Sequence, residues 1–186
     1  MERNGILLGD AYKLIKELPD DSVDLIVTDP PYLGDYHGGG GVAQSNGKQK
    51  AFVREIKDCS LYEGFDLSIL KEFVRVMKKI NCYIWCNKEQ IYDYLTFFVK
   101  ERGCNWEMIV WAKQNPPPFT NCHYLKDKEY CLYFWEKGVT LNTTLDTGRT
   151  VYVTNVNKSD KDKYGHPTIK PEEIIENLIK NSCGGG

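Results

Sequence analysis

Asp29-Pro30-Pro31-Tyr32 places a carboxylate, a rigid backbone step and an aromatic ring in four consecutive positions. That set suits one difficult reaction, in which the exocyclic amine of a nucleobase attacks a methyl donor. Such an amine is a poor nucleophile because its lone pair is delocalised into the ring. Hydrogen bonds accepted from its two N–H groups, by the Asp29 carboxylate and by the Pro30 carbonyl, favour the pyramidal form that can attack. Pro31 aims that carbonyl, since a residue before proline is held extended and proline fixes its own φ. Tyr32 supplies a face on which a base drawn out of its duplex can stack. Asp and Pro also favour an ordinary turn leaving a strand. The complete string, set between an apolar strand and a glycine-rich stretch, argues for chemistry over a bare turn.

The elements around this tetrapeptide read as alternating strands and helices. Ile6 to Leu8 form a short apolar run predicted as a strand, and Asp10 opens an amphipathic helix with Leu14, Ile15 and Leu18 on one side before Pro19. Val23 to Val27 are nearly continuous and β-rich, as in a strand covered on both faces, and Asp29 falls at its carboxyl end. From Gly34 to about Lys50 the chain is glycine-rich and polar, with four glycines at 38–41, which suits a linker or a lid over an extruded base. Asp66 caps a helix with Leu70, Phe73, Val74 and Met77 on one face, and "NCYIWC" follows as a buried strand. Asn87 caps the next helix, with Ile91, Leu95 and Phe98 inward and Gly103 as its stop. "MIVWAK" and "EYCLYFW" are two more strands, separated by a proline-rich stretch. Pro171 suits the first position of a last helix whose Ile174, Ile175, Leu178 and Ile179 make the buried stripe. This alternation predicts an α/β, doubly wound sheet with its ligands at the carboxyl ends of strands.

A chain of 186 residues that is 41% hydrophobic supports one domain, taken as residues 1–186. The net charge of −2 and pI near 6.0 provide no general attraction for DNA, so any such contact needs local basic patches. Seven cysteines, Cys59, Cys82, Cys86, Cys104, Cys122, Cys131 and Cys183, are odd in number and lack CxxC spacing, which predicts a reduced, cytoplasmic protein. Neither Cys82 with Cys86 nor Cys122 with His123 has the spacing of a tetrahedral zinc site, so no metal is expected. No signal peptide or long apolar span is visible, and no membrane partner is expected.

Five stretches in order resemble the amino-group DNA methyltransferases that use S-adenosylmethionine, in the class whose catalytic half comes first. They are "LLGDAYKLIKELPDDSVDLIVTDPPY", "YIWCNKEQI", "IVWAKQNPPP", "EYCLYFWEKG" and "HPTIKP". The resemblance implies a Rossmann-like methyltransferase sheet, S-adenosylmethionine as cofactor and double-stranded DNA as partner. It implies that Asp29, Pro30, Pro31 and Tyr32 are the catalytic motif. Asp10 corresponds to the acidic position near the cofactor's adenine, though an Asp there also caps a helix. His166, Thr168 and Lys170 correspond to the segment beside the cofactor's methionine part, where a lysine can meet a carboxylate. Residues 140–165 occupy the place of a target-recognition element, with Arg149, Lys158, Lys161 and Lys163 as candidate DNA contacts.

Full members of this class continue after HPTIKP into a strand and a turn resembling "DPFxGSGT". The 186 residues contain no such turn, and Gly184 to Gly186 follow no apolar strand. The expectation is therefore an incomplete sheet with an exposed apolar edge. A truncated product, one half of a split enzyme and an inactive relative all remain open, with a complementary C-terminal half or a homodimer as candidate partner. The isolated chain is expected to bind S-adenosylmethionine weakly and to turn over poorly. Within that frame the predicted activity is methylation of adenine N6 in DNA, with cytosine N4 methylation or a non-catalytic DNA-binding remnant as alternatives.

Overall fold

The computed structural model describes residues 5–33, 64, 66–116, 124–156, 163–164 and 169–183. Five strands, β1 (Ile26–Thr28), β2 (Asn81–Cys86), β3 (Asn105–Lys113), β4 (Lys128–Trp135) and β5 (Val151–Thr154), form one sheet in the order β1-β2-β4-β3-β5. β1 runs parallel to β2, and β5 runs parallel to β3. β4 is antiparallel to both of its neighbours, so the α/β sheet is mixed.

The helices are α1 (Ala11–Leu14), extended by a 3-10 turn over Ile15–Glu17, then α2 (Ile69–Val76), α3 (Ile91–Leu95) and α4 (Glu172–Ser182). A π-helical turn over Thr96–Lys100 continues α3. Alternation along the strands sorts the core onto two faces. Cys82, Ile84, Leu132 and Phe134 pack with Ile69, Leu70 and Phe73 of α2 and with Tyr94 and Phe98 from α3 and its extension. Tyr83, Trp85, Cys131 and Tyr133 face the other way, against Ile174 and Leu178 of α4. Helices thus cover both faces, as the sequence pattern predicts.

Several local expectations change. Ile6 to Leu8 form no strand: Ile6 and Leu8 are fully exposed, because no described strand lies on the outer edge of β1 to pair with them. The Val23–Val27 run contributes only its end to the sheet, with Val23 making a separate bridge to Met77. Asp66 and Asn87 sit one turn before their helices. Asp66 accepts from the Ser68 N–H at 2.9 Å and Asn87 accepts from the Glu89 N–H at 3.2 Å. Pro171 is the cap preceding α4, and Ile179 is 40% exposed, so the buried stripe runs through Ile174 and Leu178 to Asn181. β5 lies in a segment whose polar composition conceals it: Val151 and Val153 are exposed, leaving only an edge strand's alternation.

Arg75 on α2 clips the start of the chain to the core. Its guanidinium donates to the Ile15 and Leu18 carbonyls at 2.9 and 2.8 Å and to the Asp20 and Glu72 carboxylates. Gly103 ends the helical run with φ 68, its N–H donating to Val99 and that of Cys104 to Phe98, both at 3.0 Å. A Cβ at Gly103 would meet nothing within 4 Å, so the cost of Gly103→Ala is conformational alone. We expect a loss of about 1 kcal/mol, read as a lower urea midpoint at unchanged slope.

Candidate active site

The strand directions bring four polar residues to one end of the sheet. Asp29 directly follows β1, and Lys113 closes β3. Glu129 lies at the start of the antiparallel β4, opposite Trp111, and therefore reaches the same end. Lys170 enters from the residues leading into α4. All four meet at the carboxyl ends of the parallel strands, where α/β sheets place their ligands.

Lys170 Nζ lies 2.6 Å from Asp29 Oδ2 and 3.0 Å from Glu129 Oε2. The other Glu129 oxygen pairs with Lys113 Nζ at 2.5 Å. The Tyr32 hydroxyl donates to Glu129 Oε2 at 3.1 Å, and Lys170 Nζ stands 5.1 Å from the Tyr32 ring centroid and 5.4 Å from that of Trp85. The lysine ammonium therefore sits in a cage of two carboxylates and two aromatic faces. Its side chain is 8% exposed and that of Glu129 19%, whereas Asp29 keeps 34% of its side chain open to solvent.

The motif's backbone is held from the start of α3. Gln90 Nε2 donates to the Pro31 carbonyl at 3.1 Å, and Asn87 Nδ2 donates to the Leu33 carbonyl. The Gly64 N–H donates to the Tyr32 carbonyl at 3.3 Å. Among the described residues no donor reaches the Pro30 carbonyl, which leaves it able to accept.

Burial pushes the Asp29 carboxyl above its usual range, and the Lys170 ammonium pulls against that without cancelling it. Glu129 is also pushed up by burial, but Lys170 and Lys113 outweigh the effect and hold it below the usual range. Lys170, in turn, loses to burial and gains more from Glu129 and Asp29, which leaves it above its usual value. Burial, then the Asp29 and Glu129 charges, drive the Tyr32 phenol far up, so it stays a neutral donor. Burial and Asp29 push the neighbouring Cys86 thiol up to about 12. The cluster thus holds an acid whose proton affinity is raised by burial and which stays partly open to solvent.

Residues 23–186 match the N6/N4 methyltransferase family described as DNA methylase. The chain belongs to this family. Curated relatives include the type II methyltransferase M2.LlaDCHI of Lactococcus lactis subsp. cremoris, 27% identical over 96% of this chain and 72% of that protein. M.HinfI of Haemophilus influenzae is also 27% identical, over 96% of this chain, which spans only 55% of its length. M2.DpnII of Streptococcus pneumoniae is 24% identical over 95% of this chain and 72% of that protein. Among solved structures, M1.HpyAVI in complex with SAM superimposes with a TM-score of 0.60 at 22% identity, covering 94% of this chain and 74% of its own. M1.HpyAVI crystallised separately gives 0.57 at 18% identity, covering 95% and 72%. At these identities the two structures establish a shared α/β methyltransferase fold.

Within the family match, the structure brings Asp29, Pro30, Pro31, Tyr32 and Lys170 together. Pro30 is buried. Asp10 is the N-cap of α1, accepting from the Tyr12 N–H at 2.9 Å, and no contact ties it to the Asp29 cluster among the described residues. Arg149 is 69% exposed at its side chain, with Asp146 at 3.8 Å, and Lys163 stacks its ammonium over the Tyr164 ring at 4.5 Å. His166, Thr168, Lys158, Lys161 and the glycines at 38–41 lie outside the described residues, as do Cys59 and Cys122. Cys82, Cys86, Cys104, Cys131 and Cys183 are unpaired, and no group of metal-binding side chains occurs among the described residues. No described helix is long and apolar enough to cross a membrane.

The sequence alone assigns no site role to Glu129, Lys113, Trp85 or Gln90, and marks Asn87 only as a helix cap. The first two carry a signal of their own, being charged residues at the ends of apolar strands. That signal becomes specific only once the antiparallel register of β3 and β4 puts both at the end where Asp29 sits.

Proposed function

We propose that this chain carries the catalytic part of a DNA methyltransferase that modifies adenine N6. The observation that carries the reading is the Asp29 carboxylate, partly open at the tip of β1, beside the Tyr32 ring and a Pro30 carbonyl that no donor reaches among the described residues. Asp29 and the Pro30 carbonyl accept the two N–H groups of the target amine, and Tyr32 stacks the base once it leaves the duplex. S-adenosylmethionine, when bound, supplies a methyl group on a cationic sulfur. The site suits that charge, because its carboxylates and aromatic faces already hold a cation, the Lys170 ammonium. The amine lone pair forms the new N–C bond as the C–S bond breaks, and the methylated ammonium then loses a proton. No base is needed before attack.

Asp10 would hold the cofactor's adenosine end and the 166–170 segment its methionine end. Arg149, Lys158, Lys161 and Lys163 supply phosphate contacts from 140–165, which orient the duplex without reading its sequence. The exposed Ile6–Leu8 run and the edge of β1, unpaired among the described residues, suit a further strand, from a complementary segment or a second copy.

Tritium transfer from labelled S-adenosylmethionine to varied duplexes, with the modified base identified by chromatography, tests the reading. N6-methyladenine is the expected product. N4-methylcytosine would reassign the target, since that amine poses Asp29 the same problem. No incorporation into any duplex, with or without a complementary C-terminal half, would defeat the proposal.

A further inference from the structure

The ammonium of Lys170 stands on the carboxylate that the proposed target amine would use: it donates to Asp29 Oδ2 and lies beside the Tyr32 ring. While Lys170 holds Asp29 Oδ2, a base amine must share that oxygen with a cation or turn to Oδ1, and the carboxylate it meets is partly neutralised. With only 8% of its side chain exposed, Lys170 has no free route into water, and stripping a buried cation of its partners is costly. It does have a second anionic partner in Glu129, at 3.0 Å. Glu129 is itself fixed, by Lys113 on its other oxygen and by the Tyr32 hydroxyl on the same oxygen that meets Lys170.

We propose that Glu129 is a positioning residue for methyl transfer: it takes Lys170 off Asp29 as the target amine arrives, and it anchors Tyr32 while that exchange occurs. This rests on the reading of Asp29 as the amine-binding carboxylate. Because Lys170 already touches both carboxylates, the exchange lengthens one contact and shortens the other. Tyr32 meanwhile keeps its acceptor, so the stacking face does not turn as the cation shifts. Without the Glu129 charge, Lys170 has one full counter-ion and stays on Asp29, and the amine must compete with a buried cation for the oxygen it needs.

Among the described residues the charged and titratable groups facing Asp29 are Lys170 before α4, Glu129 on β4 with Lys113 of β3 behind it, the neutral phenol of Tyr32 in its own segment, and the neutral thiols of Cys86 and Cys131. Glu129 raises the proton affinity of Asp29 and Lys170 lowers it. Removing the first must therefore move the Asp29 titration to lower pH, and removing the second must move it to higher pH. A residue that served the fold alone would produce neither displacement.

The test combines two readouts on the full chain. The Asp29 carboxyl is followed by carbon-13 NMR against pH in the unaltered protein, Glu129→Gln, Glu129→Asp and Lys170→Met, with Asp29→Asn assigning the resonance. Methyl transfer is measured across the same pH range. We expect Glu129→Gln to move the Asp29 midpoint down and to reduce kcat by about tenfold to a hundredfold, in line with one misaligned charge in a site. Lys170→Met should move the midpoint up, and Glu129→Asp, which keeps the charge, should recover the original midpoint and part of the rate. An unmoved midpoint in Glu129→Gln overturns the proposal, whether or not activity falls, and if that variant fails to fold, an unmoved midpoint in Lys170→Met does the same. Absence of methyl transfer in the unaltered protein would count against the functional reading, while the NMR titration would still decide whether Glu129 and Lys170 govern Asp29.

Discussion

Replacing Asp29 with Ala is expected to reduce methyl transfer by about 10²–10³-fold, the usual consequence of deleting one preorganised polar group aimed at the reacting atom. The loss should fall on kcat, with DNA affinity kept within about twofold, because phosphate contacts elsewhere position the duplex. Lys170 is not stranded by the change, since Glu129 still faces it at 3.0 Å, so the variant should fold. Filter binding and single-turnover transfer separate the two quantities, and a fall in DNA affinity matching the fall in rate would remove Asp29 from the chemistry. Asp29→Asn sharpens the case. The folded protein raises the pKa of Asp29, so its favourable contribution is fully present below the unfolded value and is lost as pH rises through the folded one. Above that folded value the ionised carboxylate therefore works against stability. Asp29→Asn should melt no lower than the unaltered protein at pH 7 while transferring almost no methyl groups, as expected of a group kept for activity at the expense of stability. A drop of several degrees in Tm would contradict that account.

Much of the scaffold could be read before any coordinates, and the limits of that reading have definite causes. "NCYIWC" and "EYCLYFW" are apolar after their first residues, and both prove to be central strands with buried side chains on either face. The tip of β1 was legible because a β-rich run ends just before an acid and two prolines, a change no helix or buried strand tolerates. The 151–154 strand was not legible, since an edge strand needs only two half-buried residues, and Tyr152 and Thr154 look like any polar loop. Ile6–Leu8 misled in the opposite direction: apolarity earns a place in a sheet only where a neighbouring strand offers hydrogen bonds. Lys170 was picked out from HPTIKP, yet its partner Glu129 is 41 residues away in the chain, and only strand register joins them. Local pattern singles out the Asp29–Tyr32 tetrapeptide, while the electrostatic frame around it depends on contacts between distant positions.

Phe134→Ala is expected to cost about 3–5 kcal/mol, a large share of the roughly 5–15 kcal/mol that holds a domain of this kind together. Phe134 is 0% exposed and stacks on Phe98 with ring centroids 4.5 Å apart. Its strand, β4, is hydrogen-bonded on both sides, to β2 and β3, and contributes Leu132 and Phe134 to one core face and Cys131 and Tyr133 to the other. Truncation leaves a cavity that cannot close without moving two strands and the α3 extension. Urea denaturation should show a much lower midpoint, and a change below about 1 kcal/mol would mean that the face packed by α2 and α3 is less committed than its burial implies. The same strand carries Glu129 near its start, on the site, which makes the comparison with Asp29→Ala informative. Phe134 points into the face opposite α4, so wherever the variant stays folded, at low temperature, it should retain kcat within a few fold. Asp29→Ala should keep its stability and lose its rate. Opposite patterns in two variants, at opposite ends of one sheet, would place the chemistry at the strand tips and the stability in the layers beneath them.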